Sequence, residues 1–166
     1  MWQKEERMTP RKIMVPLDGS RLAEVALPEA FEFGRRGAAV LLLRAAEGTR
    51  LPAADPTESQ VAAVREAEGY LASVAVRARK AGVEKVDTSV WYGPPAESII
   101  DAARVSGVDL IVMSSHGRSG LGRLVLGSVA ETVLRGTTTP ILLLRDRNAP
   151  LSTLAARSAI DEPAKV

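Results

Sequence analysis

Cysteine is absent from the 166-residue chain, and histidine occurs once, at His116. The first absence rules out disulfides and thiolate-held zinc. The second rules out a histidine-based metal cluster within one chain. No apolar run approaches the roughly 20 residues that a membrane helix needs. The opening stretch MWQKEERMTPRK lacks the apolar middle of a signal peptide. Charge of one sign is lacking too: 22 Lys and Arg face 20 Asp and Glu, and the signs alternate instead of forming blocks. That balance calls for neither nucleic acid nor a membrane surface as partner. The chain shows no internal repeat and no interdomain linker. What is left is one globular domain, expected in a reducing cytoplasm, whose 46% of hydrophobic residues suffices for a single core.

Residues 1–10 are polar, end at Pro10 and read as a flexible arm. Lys12-Ile13-Met14-Val15-Pro16-Leu17, stopped by Asp18-Gly19-Ser20, fits a buried strand and a turn. Ser20 can cap the next helix, where Leu22, Val25, Ala26, Ala30 and Phe33 recur at helical spacing and Pro28 predicts a bend. A second apolar strand covers residues 38–45, followed by a loop over 47–56. Thr57 with Gln60 makes a capping box for a helix whose stripe runs through Val61, Val64, Leu71, Val74, Ala75 and Ala78. The third strand, Val86–Tyr92, alternates in a way that suits a sheet edge. Pro94 and Pro95 open a third helix with Ile99, Ile100 and Ala103 inward, ended by Gly107. Residues 109–113 form the fourth strand. A glycine-studded loop over 114–127 leads to a short helix over 128–135, and residues 139–144 form the fifth strand. The tail, 146–166, carries no sustained pattern and is expected to be mobile. Alternating strands and helices, with strands reading as unbroken apolar runs, call for a parallel sheet covered by helices on both faces.

In such a sheet, ligands bind beyond the carboxyl ends of the strands, where strand order reverses. Two loops there carry chemistry, PLDGS after strand 1 and SSHGRSGLGRLVLGS after strand 4. In the second, Gly117, Gly120, Gly122 and Gly127 allow close backbone approach to a ligand. Gly127-Ser128 opens a helix, whose free N–H groups and positive dipole end favour an anion. The bland alternative is a sharp connection. The Walker A spacing from Gly122 to Ser128 lacks its lysine, and PLDGS has one glycine where the dinucleotide fingerprint wants three.

These residues resemble the universal stress proteins over roughly residues 11–145. ATP-binding members carry Gly, two residues, Gly, nine residues, Gly, then Ser or Thr, after strand 4. Here Gly117, the nine residues 118–126 and Gly127-Ser128 match, and Ser114 stands where the first glycine belongs. The resemblance implies an open five-stranded parallel α/β sheet in the order 3-2-1-4-5, of the adenine-nucleotide alpha-hydrolase-like, Rossmann-like kind. It also implies ATP in the crevice between strands 1 and 4, with Mg2+ or Mn2+ accompanying the phosphates. Asp18, backed by Pro16 and Leu17, would meet the ribose or adenine edge, and Ala45 would lie against the ring. Gly117, Gly127, Ser128 and Val129 would meet the phosphates, mainly through backbone N–H groups, and Met113, Ser114, His116 and Ala130 would complete the nucleotide site. Family members pair their last strands, so a homodimer is expected through Pro140, Ile141, Leu142, Leu143 and Leu144.

Several residues have blander readings. Asp18 in an Asp-Gly-Ser turn is also a turn former. His116 has no carboxylate placed to orient it as a base, so no catalytic residue is expected. Arg118 and Arg123 read as solvated, Trp91 and Tyr92 as packing residues. A stress-response nucleotide module is the leading expectation. A slow ATPase and a nucleotide-free dimeric scaffold remain alternatives. The Ser-Gly-Gly-x-Asp-Ser loop of ATP pyrophosphatases is missing, as are the acidic cluster and lysine of a phosphotransfer receiver.

Overall fold

A computed structural model describes residues 9–47, 55–115 and 126–145. Most of the expected arm, the 146–166 tail, part of the loop after the second strand and residues 116–125 of the glycine loop lie outside the described residues. In chain order the elements are β1 (Lys12–Pro16), a 3-10 turn (Ala23–Ala26), α1 (Leu27–Arg35), β2 (Ala39–Ala46), α2 (Pro56–Lys80), β3 (Val86–Tyr92), α3 (Pro95–Ser106), β4 (Leu110–Ser114), α4 (Ser128–Gly136) and β5 (Ile141–Leu144). All strand pairs are parallel, and the order is β3-β2-β1-β4-β5, as the resemblance implied.

The unbroken apolar runs follow from burial on both faces. Side chains alternate sides along a strand. Ile13, Val15 and Leu42 therefore join Ala30, Leu71 and Val74 under α1 and α2. Met14, Leu41, Leu43 and Ile111 join Ile99, Ala102 and Val133 under α3 and α4. β3 is an edge strand, and its Asp87 and Thr88 face water.

Local chemistry corrects the sequence reading in three places. No single helix runs through Pro28: the chain winds first as the 3-10 turn, and α1 starts at Leu27 with Pro28 in its first turn, where a missing N–H breaks no helical bond. Ser20 Oγ accepts from the Ala23 N–H at 3.1 Å at the start of the 3-10 turn, although the N-cap position itself falls on Leu22. Second, α2 is capped by Asp55 and not by Thr57. Asp55 Oδ1 accepts from the N–H groups of Thr57 (2.7 Å) and Glu58 (3.4 Å), with Pro56 in the first turn. Third, the apolar stripe of α2 buries nothing fully before Ala67, and Val61 is 44% exposed. The helix of 25 residues is about 38 Å long at 1.5 Å per residue. β2, with 8 residues, spans about 26 Å. The first turns of α2 thus project past the carboxyl ends of the strands.

β1 pairs with β2 from Lys12 to Pro16, but its register with β4 covers only Ile13↔Leu110 and Met14↔Ile111. The amino end of that seam is stitched by Asp109, just before β4. Its Oδ2 accepts from the N–H groups of Arg11 (2.8 Å) and Lys12 (2.9 Å), and its own N–H donates to the Lys12 carbonyl at 2.8 Å. Those backbone N–H groups, Lys12 first, hold the Asp109 carboxyl below the ordinary carboxylate range. Toward their carboxyl ends β1 and β4 are no longer paired.

Candidate functional site

That parting opens into a cavity of about 580 Å³, within the ~300–1,000 Å³ usual for small-molecule sites. On the β1 side, the Leu17 N–H donates to the Leu43 carbonyl at 2.8 Å, carrying the ladder one step beyond the strand and delivering Asp18 to the cavity wall. Asp18 Oδ1 accepts from the Ser20 N–H at 2.8 Å, closing a tight turn over Gly19 at φ +82°. The positive φ favours glycine there, and a Cβ would come within 3.3 Å of Arg44 Nη1, close enough that the guanidinium would have to give by a few tenths of an ångström. Asp18 is accordingly both a turn former and a cavity residue.

On the β4 side, the Ser115 N–H donates to the Leu144 carbonyl and the Gly127 N–H to the Ser115 carbonyl, each at 2.8 Å. These bonds bring the start of α4 against the end of β4. Gly127 is the N-cap of α4, and no side chain caps the helix. Ser128, Val129 and Ala130, whose N–H groups have no partner within the helix, line the cavity with Met113 and Ser114. Gly127 has φ −60° and ψ 147°, angles open to any residue. What glycine supplies is a wall without a Cβ.

A match to the universal stress protein family model spans residues 9–145. The chain belongs to that family. Universal stress protein MJ0531 of Methanocaldococcus jannaschii is 35% identical over 141 residues, covering 81% of this chain and 82% of the relative. The solved structure of MJ0577, a universal stress protein of the same archaeon, superposes with a TM-score of 0.74 at 30% identity, covering 83% and 97% of the two chains. Universal stress protein UspA from Lactobacillus plantarum gives a TM-score of 0.71 at 26% identity, covering 81% and 97%.

For this universal stress protein, the fold brings Pro16, Leu17, Asp18, Ala45, Met113, Ser114, Gly127, Ser128, Val129 and Ala130 to one cavity. His116 and Gly117, with Gly120, Gly122, Arg118 and Arg123, lie outside the described residues. Trp91 packs against the core under α3 and α4, but Tyr92 is 51% exposed and is not the packing residue expected. Among the described residues no group of three or more His, Cys, Asp or Glu could hold a metal ion, and no helix is long and apolar enough to cross a membrane.

Sequence reasoning missed the polar end of the cavity. Arg44 near the end of β2 is 7% exposed and lines the cavity with Glu66 of α2. The pair is a bidentate fork, Nη1 to Oε1 at 3.0 Å and Nη2 to Oε2 at 2.6 Å. The guanidinium carbon lies 5.0 Å from the centroid of the Tyr70 ring, in cation–π range. The Tyr70 hydroxyl donates to Glu24 Oε1 at 2.9 Å, and Arg77 donates to both Glu24 oxygens at 2.8 and 2.9 Å. Arg77 first, then Tyr70, hold Glu24 below its ordinary range against its partial burial. Burial first, then the facing Glu24 carboxylate, push the Tyr70 hydroxyl well above its ordinary value. One signal was available: an arginine inside the otherwise apolar run AVLLLRAA.

Proposed function

We propose that this universal stress protein binds ATP in the crevice and works as a nucleotide-responsive module of the stress response. The observation that carries this reading is the uncapped start of α4 opening onto a cavity whose far wall is Ala45 and Asp18. One end has the N–H groups and dipole that an anion wants. The other has a small apolar wall and an acceptor, which suit a flat base and its sugar. In this reading the N–H groups of Ser128, Val129 and Ala130 receive phosphate oxygens, Gly127 leaves room for them, and Asp18 accepts from the ribose or the base. Mg2+ or Mn2+ would be held by the phosphates and water, because the described residues offer no ligand cluster. Binding to the folded state alone stabilises it by about 2.7 kcal/mol at a hundredfold excess over Kd.

A homodimer through β5 belongs to the same proposal. β5 is a sheet edge, and Ile141, Leu142, Leu143 and Leu144 are each only half-buried. An apolar edge of that kind favours cover by a second strand. A cytoplasmic setting, where ATP is abundant, goes with this reading.

Calorimetric titration of nucleotide-stripped protein with ATP and magnesium, with GTP as control, tests it. Micromolar ATP binding unmatched by GTP is the expected result. Gly127→Val should abolish it while leaving the fold, because its φ and ψ suit valine but the added side chain fills the wall. A folded protein that takes up no ATP, or a Gly127→Val variant of unchanged affinity, overturns the assignment.

A further inference from the structure

The end of the cavity away from α4 carries a side-chain pair to which the nucleotide reading gives no task. Arg44 commits its two-pronged edge to Glu66 and its flat face to Tyr70, and lies against the Gly19 turn. Its side chain is 9% exposed, whereas that of Glu66 is 63% exposed. Each Glu66 oxygen takes one donor from Arg44 and keeps lone pairs for another. Glu66 shares a face of α2 with Ala63, one turn earlier, and both line the cavity.

The chemistry on offer at this end is therefore that of an acceptor. The arginine charge is already used, and the other ionisable residues in the cavity wall, Asp18 and Glu47, are also carboxylates. Glu66 differs from Glu47 in being clamped by a bidentate partner that is itself nearly buried, so its carboxylate is held in place before any ligand arrives. Acceptors fixed in this way reject a molecule that lacks the matching donor and repel one that brings an anion.

We propose that Glu66, fixed by Arg44, is a specificity-determining residue of the crevice: it accepts a hydrogen bond from an N–H or O–H donor at the nucleoside end of the ligand and turns away ligands carrying a second anion there. This rests on the nucleotide reading above. Two groups have the donor chemistry, the exocyclic amine of the base and a ribose hydroxyl.

The test is calorimetric, on the full chain and its Glu66→Gln and Glu66→Ala variants, each first shown to be folded by thermal melting. The ligands are ATP, 2′-deoxy-ATP, 3′-deoxy-ATP, purine riboside triphosphate (which lacks the amine) and an ATP analogue with an added 2′-phosphate. In the unmodified chain, the analogue missing the recognised donor should bind roughly tenfold or more weakly than ATP, and so identifies the donor. Glu66→Ala should weaken ATP to that level without weakening that analogue further. Glu66→Gln should narrow the gap between ATP and the 2′-phosphorylated analogue, because the negative charge is gone. If Glu66→Ala does not fold, the Glu66→Gln comparison decides alone. Unchanged discrimination in Glu66→Gln, or an equal loss for every ligand in Glu66→Ala, overturns the assignment, the second outcome because it marks a purely structural role. Failure of the unmodified chain to bind ATP overturns the nucleotide reading and this one with it, and is seen before any variant is made.

Discussion

Replacing Glu66 by alanine and, separately, Arg44 by methionine tests how the polar end of the cavity is held. Glu66→Ala leaves a guanidinium, 9% exposed in its side chain, without its carboxylate. Breaking a buried pair by removing one partner costs ~3–5 kcal/mol. Two features here reduce that: Arg44 keeps the Tyr70 face at 5.0 Å, and it stands in the wall of a cavity that water can enter. A loss of about 2 kcal/mol results. Arg44→Met strands no charge, since the Glu66 side chain is 63% exposed and is simply hydrated. Methionine refills the space of the arginine stem. What disappears is the cation–π contact and a half-exposed ion pair, together about 1 kcal/mol. Removing the exposed partner should therefore be the more destabilising change, by about 1 kcal/mol, or roughly 2–4 °C in Tm for a chain of this size. Urea unfolding of both variants, with unchanged slope and shifted midpoint, measures it. An Arg44→Met variant as unstable as Glu66→Ala, or more so, would refute the view that Arg44 depends on Glu66 for its burial.

Gly34→Ala should destabilise the domain by about 1–3 kcal/mol, because the new Cβ would come within 2.5 Å of Val83 Cγ1 and 3.1 Å of Val40 Cγ2; a thermal melt at the wild-type Tm would show that the contact relaxes freely. Tyr70 gives a pH dependence. Its folded pKa is raised above the ordinary 10.0, so the native state holds the proton more tightly, and stability is intact below about pH 10 and falls above it. Tyr70→Phe should cost about 1 kcal/mol at neutral pH and lose that component of the alkaline decline. Parallel alkaline profiles for the two proteins would contradict the assignment.

The sequence carried the fold because the fold rests on periodicity. Runs such as Lys12 to Leu17 and residues 109–113 have no polar side chain in their interiors, and only a strand covered on both faces tolerates that. The crevice was legible for a related reason, since glycines and a small polar residue directly before a helix mark a backbone site. Details that depend on geometry across the chain were not legible. Asp55 outcompeted Thr57 as a cap because Pro56 fits the first helical turn, placing the cap one residue before the proline. Val61 fits the helical stripe yet stays exposed because α2 outruns the strands it packs on, and strand length is not encoded in the helix. Arg44 and Glu66 stand 22 residues apart. An arginine in an apolar strand announces a carboxylate partner but does not say which of many it is.

The seam between β1 and β4 has a consequence for how the domain opens. Its amino end is sewn by Asp109, while its carboxyl end, where the crevice lies, lacks pairing beyond Met14↔Ile111. The first three strands with α1 and α2 form one contiguous stretch of chain, and β4, α4 and β5 form another, joined by this half-closed line and by the side chains of α3, which pack with both. A molecule lodged across the crevice would touch Asp18 and Ala45 on one body and Ser128 on the other, supplying cross-links where the ladder has none. Its largest effect on amide exchange would then fall on the cooperative parting of the two bodies, slowing the β4–β5 amides far from the ligand, while the edge amides of β3 keep their own pace.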